Sequence, residues 1–244
     1  MRISFNPKVM RKKYLEIHSK KSLAVFDIDG TIYRNSLMTQ LHFALVHKGI
    51  FPPSAARDIK KQYVAWLDRK GLYVDYLMAI VRAFEKNIKG AKQEVILEVS
   101  KKLMTEQQHR VYVYTSRLIK ELRKTHILVA ISGSPIEIVR EFNKYWKFDH
   151  VFGKVMEVDR RGCYTGRVVV EPVYGKREML EAFVDAHHVS LDDSIAVGDT
   201  ESDIPMLSIV ERPICFNPNS VLYDEAKKRK WKIVVERKDV IYEL

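Results

Sequence analysis

Leu23-Ala24-Val25-Phe26 is a short, unbroken apolar run between polar residues. That is the pattern of a strand buried on both faces of a parallel sheet, not of an amphipathic helix. Similar runs recur at Ile127 to Ile131, Ile195 to Val197 and Pro213 to Phe216, with a fifth at Lys232 to Val235, and helix-like stretches lie between most of them. The alternation predicts an α/β fold with a doubly wound parallel sheet.

The interval between the first two runs breaks this rhythm. From Leu37 to Met104 apolar residues recur at three- and four-residue steps, as at Leu41, Ala44 and Leu45, at Tyr63, Val64 and Leu67, and at Leu77, Ile80, Val81 and Phe84. Pro52-Pro53 and Lys70-Gly71 punctuate the stretch into three or four helices. The expected organisation is a core made of residues 1–35 and 110–244, with a helical cap inserted at 36–109. A smaller insertion is expected between Lys154 and Val170, where two β-prone runs flank the turn-rich Asp159-Arg160-Arg161-Gly162 as a hairpin. The basic stretch at Arg229 and Lys230 reads as a solvated helix face.

Composition narrows the classes. The 244 residues allow one or two domains, and no apolar run approaches the roughly 20 residues needed to span a bilayer. Met1 to Lys21 is basic without an apolar stretch, so no secretory signal and a cytoplasmic location are expected. Cys163 and Cys215 are the two cysteines, too few for a disulfide framework and without zinc-site spacing. A net charge of +11 favours anionic partners, but it is spread along the chain rather than gathered with interleaved aromatics, which points to small phosphorylated molecules over nucleic acid.

Candidate chemistry lies where the runs end. Phe26-Asp27-Ile28-Asp29-Gly30-Thr31 places two carboxylates two residues apart just after the first run, at the sheet edge where open α/β folds bind ligands. Ile131 leads into Ser132-Gly133-Ser134-Pro135, where a proline at the first helical position and a capping serine would leave amides open to phosphate. Gly175-Lys176 opens a helix with an ammonium, which the helix dipole disfavours, so an anion should compensate it. Gly198-Asp199-Thr200-Glu201-Ser202-Asp203-Ile204-Pro205 puts Asp199 at a strand end and Asp203 at a helix entry, so the two can face one site.

These four elements, in this order, resemble the motifs of the haloacid dehalogenase superfamily over residues 23–244. The helical insertion after the first motif is similar to the cap of its phosphoserine-phosphatase-like branch. The resemblance implies a Rossmann-like core and a Mg²⁺-dependent phosphatase acting on a small phosphate monoester. In it Asp27 is the nucleophile that becomes phosphorylated, and Asp29 protonates the leaving oxygen and then activates water. Asp27, Asp199 and the Asp29 carbonyl would hold Mg²⁺, with Asp203 acting through water, and Lys176 would supply a second positive charge. Ser132 and Gly133 would bind the phosphoryl oxygens, and Thr31 would steady the loop or join them.

Specificity is less legible. Phosphoserine phosphatases carry a carboxylate soon after the first motif to hold the substrate amine, but no acid stands between Asp29 and Asp58. Ser202 occupies a position where those enzymes have Asn. Arg34 has two readings, contact with a substrate anion and a solvated arginine at the cap hinge. Two alternatives stay open: transfer to an alcohol acceptor, as in a phosphotransferase or phosphomutase, and a non-catalytic anion- or RNA-binding module. The oligomeric state is not legible.

Overall fold

A computed structural model describes residues 21–244, so the reading of Met1 to Lys21 concerns a segment almost wholly outside the described residues. Eight strands form one sheet in the order β4-β3-β2-β1-β5-β6-β7-β8. They are β1 (Ser22–Phe26), β2 (His126–Pro135), β3 (His150–Val158), β4 (Tyr164–Val170), β5 (Ile195–Gly198), β6 (Arg212–Phe216), β7 (Lys232–Arg237) and β8 (Val240–Glu243). The inner pairings are parallel, and the outer pairs β3–β4 and β7–β8 are antiparallel. All five predicted runs are strands. Their unbroken apolar character follows from position, since Leu23 and Val25 point into one buried cluster while Ala24 and Phe26 point into the other.

Four helices occupy the long interval: α1 (Leu37–His47), α2 (Pro53–Leu67), α3 (Tyr73–Ile88) and α4 (Gln93–Gln107). Their apolar stripes share one continuous cluster with a face of the sheet and with α6 (Ile136–Trp146), through Leu41, Leu45, Phe84, Ile96, Leu103, Phe142 and Phe26. The predicted stripe at Tyr63, Val64 and Leu67 is an exception. It stays on the surface at the end of α2, while its neighbour Trp66 stacks on Tyr76 at 5.7 Å. The remaining helices are α5 (Val113–Leu122), α7 (Lys176–His187), the short α8 (Ile204–Leu207) and α9 (Ser220–Arg229).

The hairpin expected between Lys154 and Val170 forms as the antiparallel pair β3–β4, and it grows out of the sheet because the start of β3 pairs in parallel with β2 through Val129↔His150 to Ile131↔Phe152. The terminal strand β8 was not foreseen. Its signal is a two-residue turn at Lys238-Asp239, with Lys238 in the left-handed region, and Val240-Ile241-Tyr242 behind it. Both cysteines are free, as expected. No described helix is long and apolar enough to cross a membrane.

The insertion leaves and rejoins the sheet at one place. Arg34 N–H donates to Arg110 O at 2.9 Å and Tyr112 N–H to Ile32 O at 2.9 Å, so the two connectors run side by side. Glu236 of β7 closes the return, accepting from the Val113 and Tyr114 amides at 3.0 and 2.8 Å. The start of α5 has no local side-chain cap, and this distant carboxylate takes that role.

Lys154, 1% exposed on β3, ties α3 to the sheet by pairing with Glu85 and Glu171, each at 2.6 Å. Lys154→Met leaves the two glutamates facing each other without their cation. Because both reach solvent, the expected loss is about 2 kcal/mol in urea unfolding, below that for a fully buried pair. A loss under about 0.5 kcal/mol, the level of an ordinary surface substitution, would show that this tether does not hold the helix.

Candidate active site

The sheet order sets the site. With β1 central and flanked by β2 and β5, the segments leaving all three strands converge at one carboxyl edge, and the start of α7 joins them. Asp27 N–H still bonds Val197 O at 2.9 Å, so its carboxylate is held by the ladder at the strand tip. The chain then turns sharply, with Ile32 and Tyr33 N–H both donating to Ile28 O. Gly30 sits in that turn at φ +83°, and a Cβ there would fall 2.1 Å from Asp199 Oδ2, so only glycine lets the carboxylate approach.

Lys176 lies between two acids, 2.6 Å from Asp27 Oδ1 and 2.5 Å from Asp203 Oδ1, with all three side chains buried. Burial works against the ammonium, but the two carboxylates outweigh it, and its pKa rises. This is the anion that the sequence required of a lysine at a helix N-terminus. Asp203 is fully committed, since its Oδ2 accepts from the Asp199 and Thr200 amides at 2.9 and 3.0 Å. Asp199 accepts from Thr31 Oγ1 at 3.3 Å. Asp27 Oδ2 is different: it is buried and has no hydrogen-bond partner.

Asp27, Asp199 and Asp203 carry oxygens within 4.8 Å of one another. Desolvation pushes Asp27 up to about 8, Lys176 pulls it back, and Asp203 and Asp29 add to the rise. Asp199 is raised well above the usual carboxylate range by burial and then by Asp27 and Asp203. The donors fit a hard divalent cation, being all oxygen, short of positive charge and including one buried oxygen that none of the described residues satisfies.

Asp29 turns away from this cluster. Its carboxylate accepts from Leu37 N–H and Ser132 Oγ, both at 2.5 Å, and from Ser134 Oγ at 2.9 and 3.0 Å. Burial raises its pKa, while these donors, the two β2 serines and the Leu37 amide at the start of α1, oppose the rise. The expected Ser-capped helix after β2 does not occur. The strand runs on through Pro135, which is the residue before the helix rather than its first, and neither serine caps. Both hydroxyls serve Asp29 instead.

A cavity of about 430 Å³ opens over these groups, with Asp27, Asp29, Gly133, Lys176, Asp199 and Ser202 in its wall. Thr31 and Ser132 are fully buried behind the wall, where Thr31 orients Asp199 and Ser132 orients Asp29. Arg34 does not reach the cavity. Its side chain is exposed and lies 5.6 Å over the Tyr112 ring, the solvated-hinge alternative. Sequence reasoning missed Ser134, although its spacing of two from Ser132 on a strand puts both on one face. It also missed Tyr73 and the Glu201–Asn219 pair, which local sequence does not signal.

Residues 24–208 match the family model of the haloacid dehalogenase-like hydrolases. Among similar proteins is the inhibition of morphological differentiation protein of Streptomyces azureus, 28% identical over 232 residues, 91% of this chain and 81% of that one. A histidinol-phosphatase of Neisseria meningitidis is 21% identical over 224 residues, 88% and 98% of the two chains. A solved structure described as a phospho-aspartyl intermediate analogue of phosphoserine phosphatase is 24% identical, covers 90% of this chain and 95% of its own, and superposes with a TM-score of 0.60. At that identity the likeness is one of fold.

The raised Asp27 has a consequence for stability. A carboxyl that folding lifts from 3.8 to about 8 favours the native state below its unfolded pKa and loses that contribution as pH climbs to the folded value. In chelator, the melting temperature of the native chain relative to Asp27→Asn should therefore fall between about pH 5 and pH 9, and millimolar Mg²⁺ should reverse the trend. A pH-independent difference would contradict this.

Proposed function

Because this chain belongs to the haloacid dehalogenase-like hydrolase family, we propose that it hydrolyses a phosphate monoester through an aspartyl-phosphate formed on Asp27, with Mg²⁺ as cofactor. The observation that carries the reading is the state of Asp27. One of its oxygens is locked to Lys176 and the other is buried, unpartnered and beside Asp199 at the floor of the cavity. The names of similar proteins, a histidinol-phosphatase and a phosphoserine phosphatase, support phosphate chemistry.

Mg²⁺, held by Asp27 and Asp199, would neutralise the phosphoryl oxygens and the floor carboxylates when bound. Asp27 attacks phosphorus, forming an Oδ–P bond as the ester P–O bond breaks. Lys176 holds Asp27 in line and, fixed by Asp203, stays charged throughout. The Gly133 amide region faces the phosphoryl group, where a Cβ would strike Val173 at 2.4 Å. Asp29, kept prone to protonation by burial, gives its proton to the leaving oxygen and later takes one from the water that cleaves the phosphoenzyme. Ser132, Ser134 and the Leu37 amide orient it for both steps. Water as the acceptor releases free phosphate, which separates this reading from transfer to an alcohol.

Phosphate release from a panel of monoesters should require Mg²⁺ and fall by about 10³-fold or more in Asp27→Asn, because an amide cannot form the intermediate. Asp29→Asn should slow esters with poor leaving groups more than p-nitrophenyl phosphate, whose leaving group needs no proton. Full turnover in Asp27→Asn, or in chelator, would refute the assignment.

A further inference from the structure

The floor of the cavity is charged, but its upper wall is not. Tyr73, Leu77 and Val81 follow one another at four-residue steps along α3 and line it, joined by Met78, with Met38 and Val173 opposite. These α3 side chains are half-buried, whereas Tyr76, Ala83 and Phe84 on the other face fill the core, and Ile80 lies buried at the boundary of the two. Helix α3 is therefore apolar on two faces, one in the core and one that borders both the core and the cavity.

The lining offers uncharged polar groups, Ser36, Thr39, Tyr174, Thr200 and Ser202 among them, but not the charges a charged leaving group would need. Among the described residues no arginine or histidine lines the cavity, and the one lysine that does, Lys176, is bound between Asp27 and Asp203. Beyond the lining aspartates Asp27, Asp29 and Asp199, the one carboxylate among the described lining residues is Glu201, which accepts from Asn219 Nδ2. A leaving group bearing a carboxylate finds no cation here. One bearing an ammonium finds only a carboxylate already engaged, on the core side and not on α3.

We propose, resting on the hydrolase reading above, that the substrate is a phosphate monoester of an apolar alcohol whose chain or ring lies along Tyr73, Leu77 and Val81. The phosphate end is bound by charge at the floor, and the alcohol end is selected by removal of apolar surface from water. About 430 Å³ leaves room for several carbons beyond the ester oxygen.

The test is turnover of linear alkyl phosphates from ethyl to octyl, with phenyl phosphate as the ring arm and phosphoserine as the polar control, by the full chain in Mg²⁺. Each methylene that enters the wall should raise kcat/KM about three- to fourfold until the cavity fills. Propyl phosphate should exceed phosphoserine, which has the same carbon count, by about tenfold or more. Leu77→Asp should lower the octyl-to-ethyl ratio by about tenfold or more. A ring preference over hexyl identifies an aryl alcohol, and the reverse identifies an aliphatic one, either within the inference. A flat series, or phosphoserine as the better substrate, overturns it. Calorimetric binding of methyl- and octylphosphonate reads the same wall without catalysis. Affinity that climbs with chain length while no ester is turned over would refute the hydrolase reading and leave the apolar wall standing, and affinity independent of length would sink the wall.

Discussion

Lys176 between Asp27 and Asp203 is the contact on which the site is built. Four carboxylates gather at one sheet edge, three of them with oxygens within 4.8 Å of one another, and a single buried ammonium bonds two of those three. It immobilises the proposed nucleophile by one oxygen and leaves the other, buried and without a partner among the described residues, for whatever the cavity holds. The surrounding geometry serves that contact. Asp203 can reach Lys176 because its second oxygen is fixed by the Asp199 and Thr200 amides, and Gly198 lets Asp203 come close, since a Cβ there would lie 2.4 Å from its side chain. Charge deficit is thus a fixed property of the fold, and a divalent cation together with a phosphate dianion suits it.

The core of this arrangement was legible because it is written in short, ordered signals. Buried parallel strands leave unbroken apolar runs, and residues just after them must sit at one edge, so Asp27, Lys176, Asp199 and Asp203 could be placed together from order alone. What failed had a different physical origin. A Ser-x-Ser-Pro segment reads locally as a helix cap, but pairing with β3 carries the strand through it, and a distant carboxylate, Asp29, claims both hydroxyls. Tertiary context overrode a local preference there. The surface stripe at Val64 and Leu67 failed because periodicity announces an apolar face without saying that anything covers it.

The two halves of the cavity differ in how they are held. The floor is fixed by strand ends and by hydrogen bonds among buried polar groups, so its geometry tolerates little variation. The upper wall is the face of a helix secured by its opposite side and by Lys154, with Tyr73 and Val81 touching the edge of the core and Leu77 and Met78 outside it. Chemistry and selection of the alcohol therefore rest on separate sets of residues, and a change in one set need not disturb the other.

The paired connectors give this separation a genetic meaning. Because the chain departs near Ile32 to Arg34 and returns at Arg110 to Tyr112 through mutual backbone bonds, with Glu236 clamping the return, the helices between them begin and end at a single seam. A segment bounded by one seam can be replaced, lengthened or shuffled by a single recombination event without shifting the register of any strand. Its successor must present an apolar side to Phe26 and Phe142 and a partner to the buried Lys154. New substrates can thus be reached by exchanging a cassette around an unchanged catalytic floor, so the lineage of such a chain is better traced through its strand ends than through its helices.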